Sequence, residues 1–243
     1  MSFEGRVAIV TGSSSGIGAA VAEQLTDRGA TVVVNSSSSV EAGERLADRL
    51  DRATYCRADV SDEEQCRGLV GHALDEHGRL DIVVNNAGFT KVIPHHDLDS
   101  VTDDVFRRII DVNLMGTWYL SRAAMAALKE SGDGSIANVT SAAGVRPVGS
   151  SIPYAVSKAA INHLTKLLAN VVGPEVRVNA VAPGLVRTPW TDDWDAMHAA
   201  MADATPLGRS AEAEDVADTV MGVLASRYLT GEVVVLDGGL QLR

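Results

Sequence analysis

Tyr154 and Lys158 stand four residues apart in Pro153-Tyr154-Ala155-Val156-Ser157-Lys158. On a helix, positions i and i+4 share one face, and a proline just before them suits a helix start. A free phenol titrates near ~10, too high to exchange protons at neutral pH. An ammonium one turn away favours phenolate and lowers that value, as does any other positive charge brought to the site. The pair therefore reads as a general acid/base. Ser141, upstream at the end of an apolar run, is placed to hydrogen-bond a substrate oxygen and stabilise charge developing there. Asn113 lies in the middle of a helical pattern, a position asparagine disfavours. Each residue alone has a plainer reading: Tyr-x3-Lys as a surface pair, Ser141 as a turn cap, Asn113 as a helix kink.

A second constellation suits phosphate. Thr11-Gly12-Ser13-Ser14-Ser15-Gly16-Ile17-Gly18 joins an apolar run to an alanine-rich helical pattern. Glycines allow a tight turn and a close approach to pyrophosphate, and the helix behind them aims free N–H groups at the anion. The spacing is neither Gly-x-Gly-x-x-Gly nor a Walker loop. Its place at the first strand–helix junction favours a ligand over an ordinary glycine-rich turn.

These residues need a frame to bring them together. Short β-branched runs at 7–10, 31–34, 82–84, 135–139, 176–181 and 233–236, with a weaker one at 53–56, make seven candidate strands. Runs this continuous imply burial on both faces. Helical spacing separates them at 19–25 and 46–50, over a long pattern at 103–128, and at 154–171. Alternation of this kind predicts one α/β domain over 1–243, a doubly wound seven-stranded parallel sheet with helices on both faces. No Pro-, Gly- or Ser-rich linker divides the chain, and no repeat is present.

The Thr11-Gly12-x3-Gly16-Ile17-Gly18 loop resembles the cofactor loop of the short-chain dehydrogenase/reductase family. Asp59-Val60, Asn85-Asn86-Ala87-Gly88 and Pro183-Gly184, with Thr188 just beyond, follow in that family's order. The resemblance runs from Arg6 to Gly239 and touches its 3-oxoacyl reductase-like branch. It implies a Rossmann fold and an NAD(P)-dependent oxidoreductase acting on a carbonyl or secondary alcohol. It implies a tetrad of Asn113, Ser141, Tyr154 and Lys158. Lys158 would hold the nicotinamide ribose, and Asn113 would support a water chain. Gly12, Ser13, Ser14, Ser15, Gly16, Ile17 and Gly18 would hold the pyrophosphate, and Asp59 and Val60 would meet the adenine. Asn86, Ala87 and Gly88 would line the ribose path. Backbone near Val186 and the Thr188 hydroxyl would hold the carboxamide, with Pro183 and Gly184 also in the cofactor site. It also implies a homotetramer, or a homodimer, paired through the 103–128 and 154–171 helices. A nucleotide-sensing binding protein is the non-enzymatic alternative; the intact tetrad argues for the enzyme.

The end of the second strand bears on the cofactor. A carboxylate there binds both ribose hydroxyls and repels a 2′-phosphate. This chain has Asn35-Ser36-Ser37-Ser38-Ser39, with hydroxyl donors at Ser36 and Ser37 and no acid before Glu41. No base occurs in the loop, and Ser15 stands where NADP-preferring relatives carry one. NADP(H) is favoured, with NAD(H) as the second choice.

On the substrate side, Trp190, Trp194, Met197 and Met201 repeat at helical spacing. They make either a small packed helix or an apolar lid over about 185–210. With Val148, Val145, Ile152, Thr90 and Val92 they suggest a moderately apolar ketone or alcohol. A 3-oxoacyl group on CoA or on an acyl-carrier protein is the specific alternative. The stretch Glu130-Ser131-Gly132-Asp133-Gly134-Ser135 lacks the base an acidic carrier would meet, so a diffusible or CoA-linked substrate ranks first.

Composition narrows the partners. The 243 residues carry 21 basic and 32 acidic side chains, a net charge of -11, which disfavours nucleic acid and anionic membranes. Cys56 and Cys66 form neither a disulfide framework nor a zinc set, and the His95-His96 pair lacks further ligands, so no metal is expected. With no membrane-length apolar run, a cytoplasmic location is expected.

Overall fold

A computed structural model describes residues 2–242. The first half runs β1 (Val7–Val10), α1 (Gly16–Asp27), β2 (Thr31–Ser36), α2 (Val40–Arg49), β3 (Ala53–Arg57), α3 (Glu63–His77) and β4 (Ile82–Asn85). The second runs α4 (Asp103–Ile110), α5 (Gly116–Glu130), β5 (Gly134–Val139), α6 (Ile152–Val172), β6 (Val176–Pro183), β7 (Val186–Arg187), α7 (Asp195–Ala204), β8 (Ala211–Glu212), α8 (Ala213–Ala225) and β9 (Val233–Leu236). Seven strands form one parallel sheet in the order β3-β2-β1-β4-β5-β6-β9. The chain winds outward from β1 to β3, returns to β4 beside β1, and winds out the other way. β7 and β8 pair separately.

The continuous apolar runs work because both faces are covered. Val32, Val34, Ile82 and Val84 pack with residues of α1, α2 and α8. Their neighbours Val33 and Val83, with Ile9, pack with residues of α3, α5 and α6 on the other face. Each such buried side chain contributes roughly 1.5–3 kcal/mol. The weaker 53–56 run is β3, an edge strand whose residues are only partly buried.

The structure departs from the sequence pattern in three ways. The 103–128 pattern is not one uniform helix, because a π-helical turn over Asp111–Met115 separates α4 from α5. Such turns recur at functional sites, and Asn113 is at its centre. The Trp190–Met201 stripe is likewise broken. Pro189–Thr191 forms a 3₁₀ turn closed by reciprocal Thr188 and Thr191 contacts, and α7 starts only at Asp195. Helices α3 and α8 carry no pattern singled out above. In α3 the buried Cys66, Leu69, Val70 and Ala73 are diluted by charged residues, but the ends are well marked. The Asp62 side chain accepts from the Glu64 and Gln65 amides, and Gly78 ends the helix at φ 74.

Candidate active site

One cleft of about 1230 Å³ opens where the carboxyl ends of the strands meet, across the β1/β4 reversal. This is where open α/β sheets bind ligands. Three loops meet there through buried polar side chains. Thr11 Oγ1 accepts from the Asn86 and Ala87 amides, both at 3.0 Å. Asn86 Nδ2 donates back to the Thr11 and Gly12 carbonyls at 2.8 and 3.1 Å. Asn35 accepts from the Gly12 amide and donates to the carbonyls of Cys56 and Ala58.

Gly12, Ser14, Ser15, Gly16 and Ile17 line the cleft. Ser13 and Gly18 do not. The Ser13 hydroxyl is turned inward, donating to the Val10 carbonyl and accepting from the Asn35 amide. Gly18 serves packing, since a Cβ there would lie 2.5 Å from the Gly12 oxygen. Gly12 combines φ +61 with a Cβ position 2.9 Å from Ala87 Cα, so glycine is required. The Ser15 side chain makes no cap bond to α1, and the first turn of α1 has no acid. That open helix end fits a pyrophosphate, and the chain's loop fits the nicotinamide dinucleotide its resemblance implies.

At the end of the cleft beside β2 and β3 lie Ser36, Ser37, Asp59 and Val60. Partial burial works against the Asp59 carboxylate, but Ser61 and Arg108 outweigh it and hold the group below its usual range. Arg108 bridges Asp59 Oδ2 at 3.2 Å and Ser61 Oγ at 2.9 Å. It lines the cleft, as do Asn35, Phe89, Leu185 and Leu240, none of which the sequence singled out. Their signal is tertiary: Arg108 comes from α4 and Leu240 from the C-terminal turn. Asn86, Ala87, Gly88, Pro183, Gly184, Val186 and Thr188 line the central stretch.

The chemistry-bearing residues meet beyond it. Ser141, Tyr154 and Lys158 line the same cleft. Lys158 is buried, and its Nζ donates to the Val139 carbonyl at 2.9 Å and lies 5.7 Å from the Tyr154 ring centre. Asn113 is fully buried and outside the lining. Its Oδ1 accepts from the Phe89 amide at 2.7 Å, and its Nδ2 donates to the Phe89 carbonyl and Ser157 Oγ. A Cβ on Gly88 would fall 3.5 Å from Asn113 Oδ1 and 3.8 Å from Lys158 Nζ, so the glycine keeps open the space between them. Ser141 lies two residues past β5 rather than within it. Its oxygen caps a short turn by accepting from the Ala143 amide, and its hydroxyl lies on the side of the Tyr154 phenol, where it favours the ionised form.

Burial dominates the ionisation of this pair. It pushes the Tyr154 phenol up to about 12, with Ser141 offsetting only part, and pushes the Lys158 ammonium down to about 8. The lowering of Tyr154 expected from Lys158 does not occur in the protein alone. At 5.7 Å from the ring centre, with its proton committed to Val139, the ammonium does not overcome desolvation. At neutral pH both groups hold their protons, so Tyr154 is in its acid form.

Val148, Trp190, Trp194 and Met197 line the remaining wall, with Met201 beside them. Trp190 stands edge-on to Tyr154, ring centres 6.4 Å apart. Burial also pushes the Cys66 thiol up to about 12. Among the described residues, no three His, Cys, Asp or Glu side chains converge to hold a metal, and no helix is long and apolar enough to cross a membrane.

Comparison with known proteins gives consistent relatives. The family model described as enoyl-(acyl carrier protein) reductase matches residues 12–241. A Streptomyces violaceoruber protein, whose name assigns it as ketoacyl reductase 2 of the granaticin polyketide synthase, is 54% identical, covering 98% of this chain and 97% of its own. The 3-oxoacyl-[acyl-carrier-protein] reductase of Thermotoga maritima is 33% identical over 99% of both chains. A solved short-chain dehydrogenase/reductase (glucose/ribitol dehydrogenase) from Brucella melitensis superposes with TM-score 0.93, at 30% identity over 99% of both chains.

Proposed function

The chain belongs to the short-chain dehydrogenase/reductase family and is a hydride-transfer oxidoreductase of its 3-oxoacyl reductase-like branch; we propose that it uses NADPH to reduce the keto group of a 3-oxoacyl thioester or a closely related ketone. The observation carrying this reading is the convergence of Ser141, Tyr154 and Lys158 in the cleft that also holds the glycine-rich loop. The 54% identity to a protein named as a ketoacyl reductase supports the 3-oxoacyl class over an unrelated ketone.

When bound, the nicotinamide supplies the hydride. The Ser141 and Tyr154 hydroxyls hold the substrate oxygen, and Tyr154 donates its proton to that oxygen as negative charge builds there. Lys158 keeps a positive charge beneath the phenol and stabilises the phenolate left behind. Asn113 anchors the Phe89 loop and Ser157, which sets the Gly88 gap beside Lys158. Trp190, Trp194, Met197 and Met201 act as a lid that excludes water from the reacting carbon. NADPH is preferred because no carboxylate ends β2.

The assembly is a homotetramer that covers the exposed Phe106 of α4 and Leu167 and Val171 of α6; light scattering reads it. Two free thiols suit the reducing cytoplasm. The test of function is cofactor consumption with acetoacetyl thioesters of CoA, of a small pantetheine mimic and of a carrier protein, beside simple cyclic ketones. NADPH-dependent reduction of a thioester is expected. Cofactor binding without turnover on any of these would point to a sensor instead.

A further inference from the structure

The Ser36–Ser39 stretch offers hydroxyls but no cation for a 2′-phosphate. The sheet brings one from the neighbouring strand. Arg57, the last residue of β3, is the register partner of Ser36, the last residue of β2. Its Nε donates to the Ser37 carbonyl at 3.0 Å. We infer that Arg57 selects the phosphorylated cofactor, its guanidinium receiving the 2′-phosphate of the adenosine ribose beside Ser37. This inference rests on the NADPH reading above.

The local chemistry supports a phosphomonoester there. The Nε anchor to Ser37 leaves both terminal amino groups of Arg57 without a protein partner among the described residues. That is the fork that matches phosphate oxygens. Arg57 sits just outside the cleft lining, behind Ser37, whereas Arg108, which lines this end, is committed to Asp59 and Ser61. The positions that would carry an excluding carboxylate are occupied otherwise. Asn35 is used up tying Gly12 to the β3 end, and the Ser36 hydroxyl is paired with the Tyr55 hydroxyl at 2.9 Å. Ser37, Ser38 and Ser39 line the cleft, and the Ser39 side chain makes no cap bond to α2. A chain of net charge -11 repels a dianion at long range, so a local cation has to capture it.

The test is calorimetric titration of the full-length protein with 2′,5′-ADP, which carries the 2′-phosphate and lacks the nicotinamide, and with 5′-ADP. The Arg57→Gln and Arg57→Lys variants are compared with the original chain. Arg57 is exposed, and thermal melting checks that each variant is folded. Arg57→Gln is expected to weaken 2′,5′-ADP binding by about ten- to hundredfold while leaving 5′-ADP within about twofold, and Arg57→Lys to retain part of the preference. Added salt should shrink the preference of the original chain and leave that of Arg57→Gln little changed. Equal weakening of both ligands, or none of either, overturns the role of Arg57 while NADPH preference stands. An original chain that binds the two ligands equally and turns over NADH as well as NADPH overturns the NADPH reading, and the role of Arg57 with it.

Discussion

The two arms of the cleft are built differently. The cofactor arm is held by the sheet. Thr11, Ser13, Asn35 and Asn86 knit the ends of β1, β2 and β4 together through side-chain bonds to backbone. The substrate arm is held by little. Trp190 is 50% exposed and Met197 42%, and His198 is the one buried residue of α7, bonded to Ser210 Oγ at 2.8 Å and reaching Thr191. Parallel-strand register fixes the first arm to within a hydrogen bond. The second is apolar contact on a short helix, a construction that can change its occupant without disturbing the hydride chemistry.

Tyr154→Phe strikes the point where the arms meet and should have the largest effect. Turnover should fall about 10²–10⁴-fold, with cofactor affinity by fluorescence titration unchanged. Turnover within tenfold of the original would remove Tyr154 as the proton donor.

Gly18→Ala tests the rigidity of the cofactor arm. Its Cβ would meet the Gly12 oxygen at 2.5 Å and Asn86 Nδ2 at 2.6 Å. Overpacking costs about 1–3 kcal/mol, so NADPH binding should weaken roughly tenfold or more and the melting temperature should drop. A variant with normal affinity would show that the loop yields as readily as the lid.

Lys158→Met separates function from stability. In the unfolded chain the lysine keeps its proton up to 10.5, whereas burial lowers it to about 8 in the fold. The folded protein therefore bears a buried charge below pH about 8, at a cost relieved as pH rises from about 8 to 10.5. The methionine variant should lose turnover yet gain about 1–2 kcal/mol at neutral pH, after allowing ~1 kcal/mol for the bond to Val139. By calorimetry that is roughly 2–8 °C, and the gain should shrink through the same alkaline window. The same ionisation predicts that kcat/KM for NADPH falls above pH about 8. A profile flat to pH 10 would contradict a depressed Lys158.

Trp190→Ala should give the smallest change. The KM for the ketone should rise about three- to tenfold, with the melting temperature and cofactor affinity unchanged. A loss of NADPH binding equal to that of Gly18→Ala would mean that the two arms are one unit.

Much of this molecule was legible before any coordinates. Val7–Val10 and Ile82–Val84 are continuous apolar runs, and a parallel strand covered on both faces uses such a run. Tyr154 and Lys158 are also local, because one helical turn puts them on a single face. Apart from the family resemblance, Asn113 was visible only as a misfit. The π-turn and its bonds to Phe89 and Ser157 depend on a loop 24 residues away and on α6. The Trp190–Met201 spacing read as one helix because periodicity is blind to the Thr188–Thr191 closure that interrupts it.

Local spacing and residue type therefore determined the individual strands, the glycine loop and the Tyr–Lys pair, since each is encoded within a few residues. Tertiary structure alone decided which residues share the cleft, that Ser13 faces inward, that Arg57 stands beside Ser37, and that burial outweighs Lys158 at the Tyr154 phenol. Those outcomes depend on strand register and desolvation, which arise only when distant segments pack together.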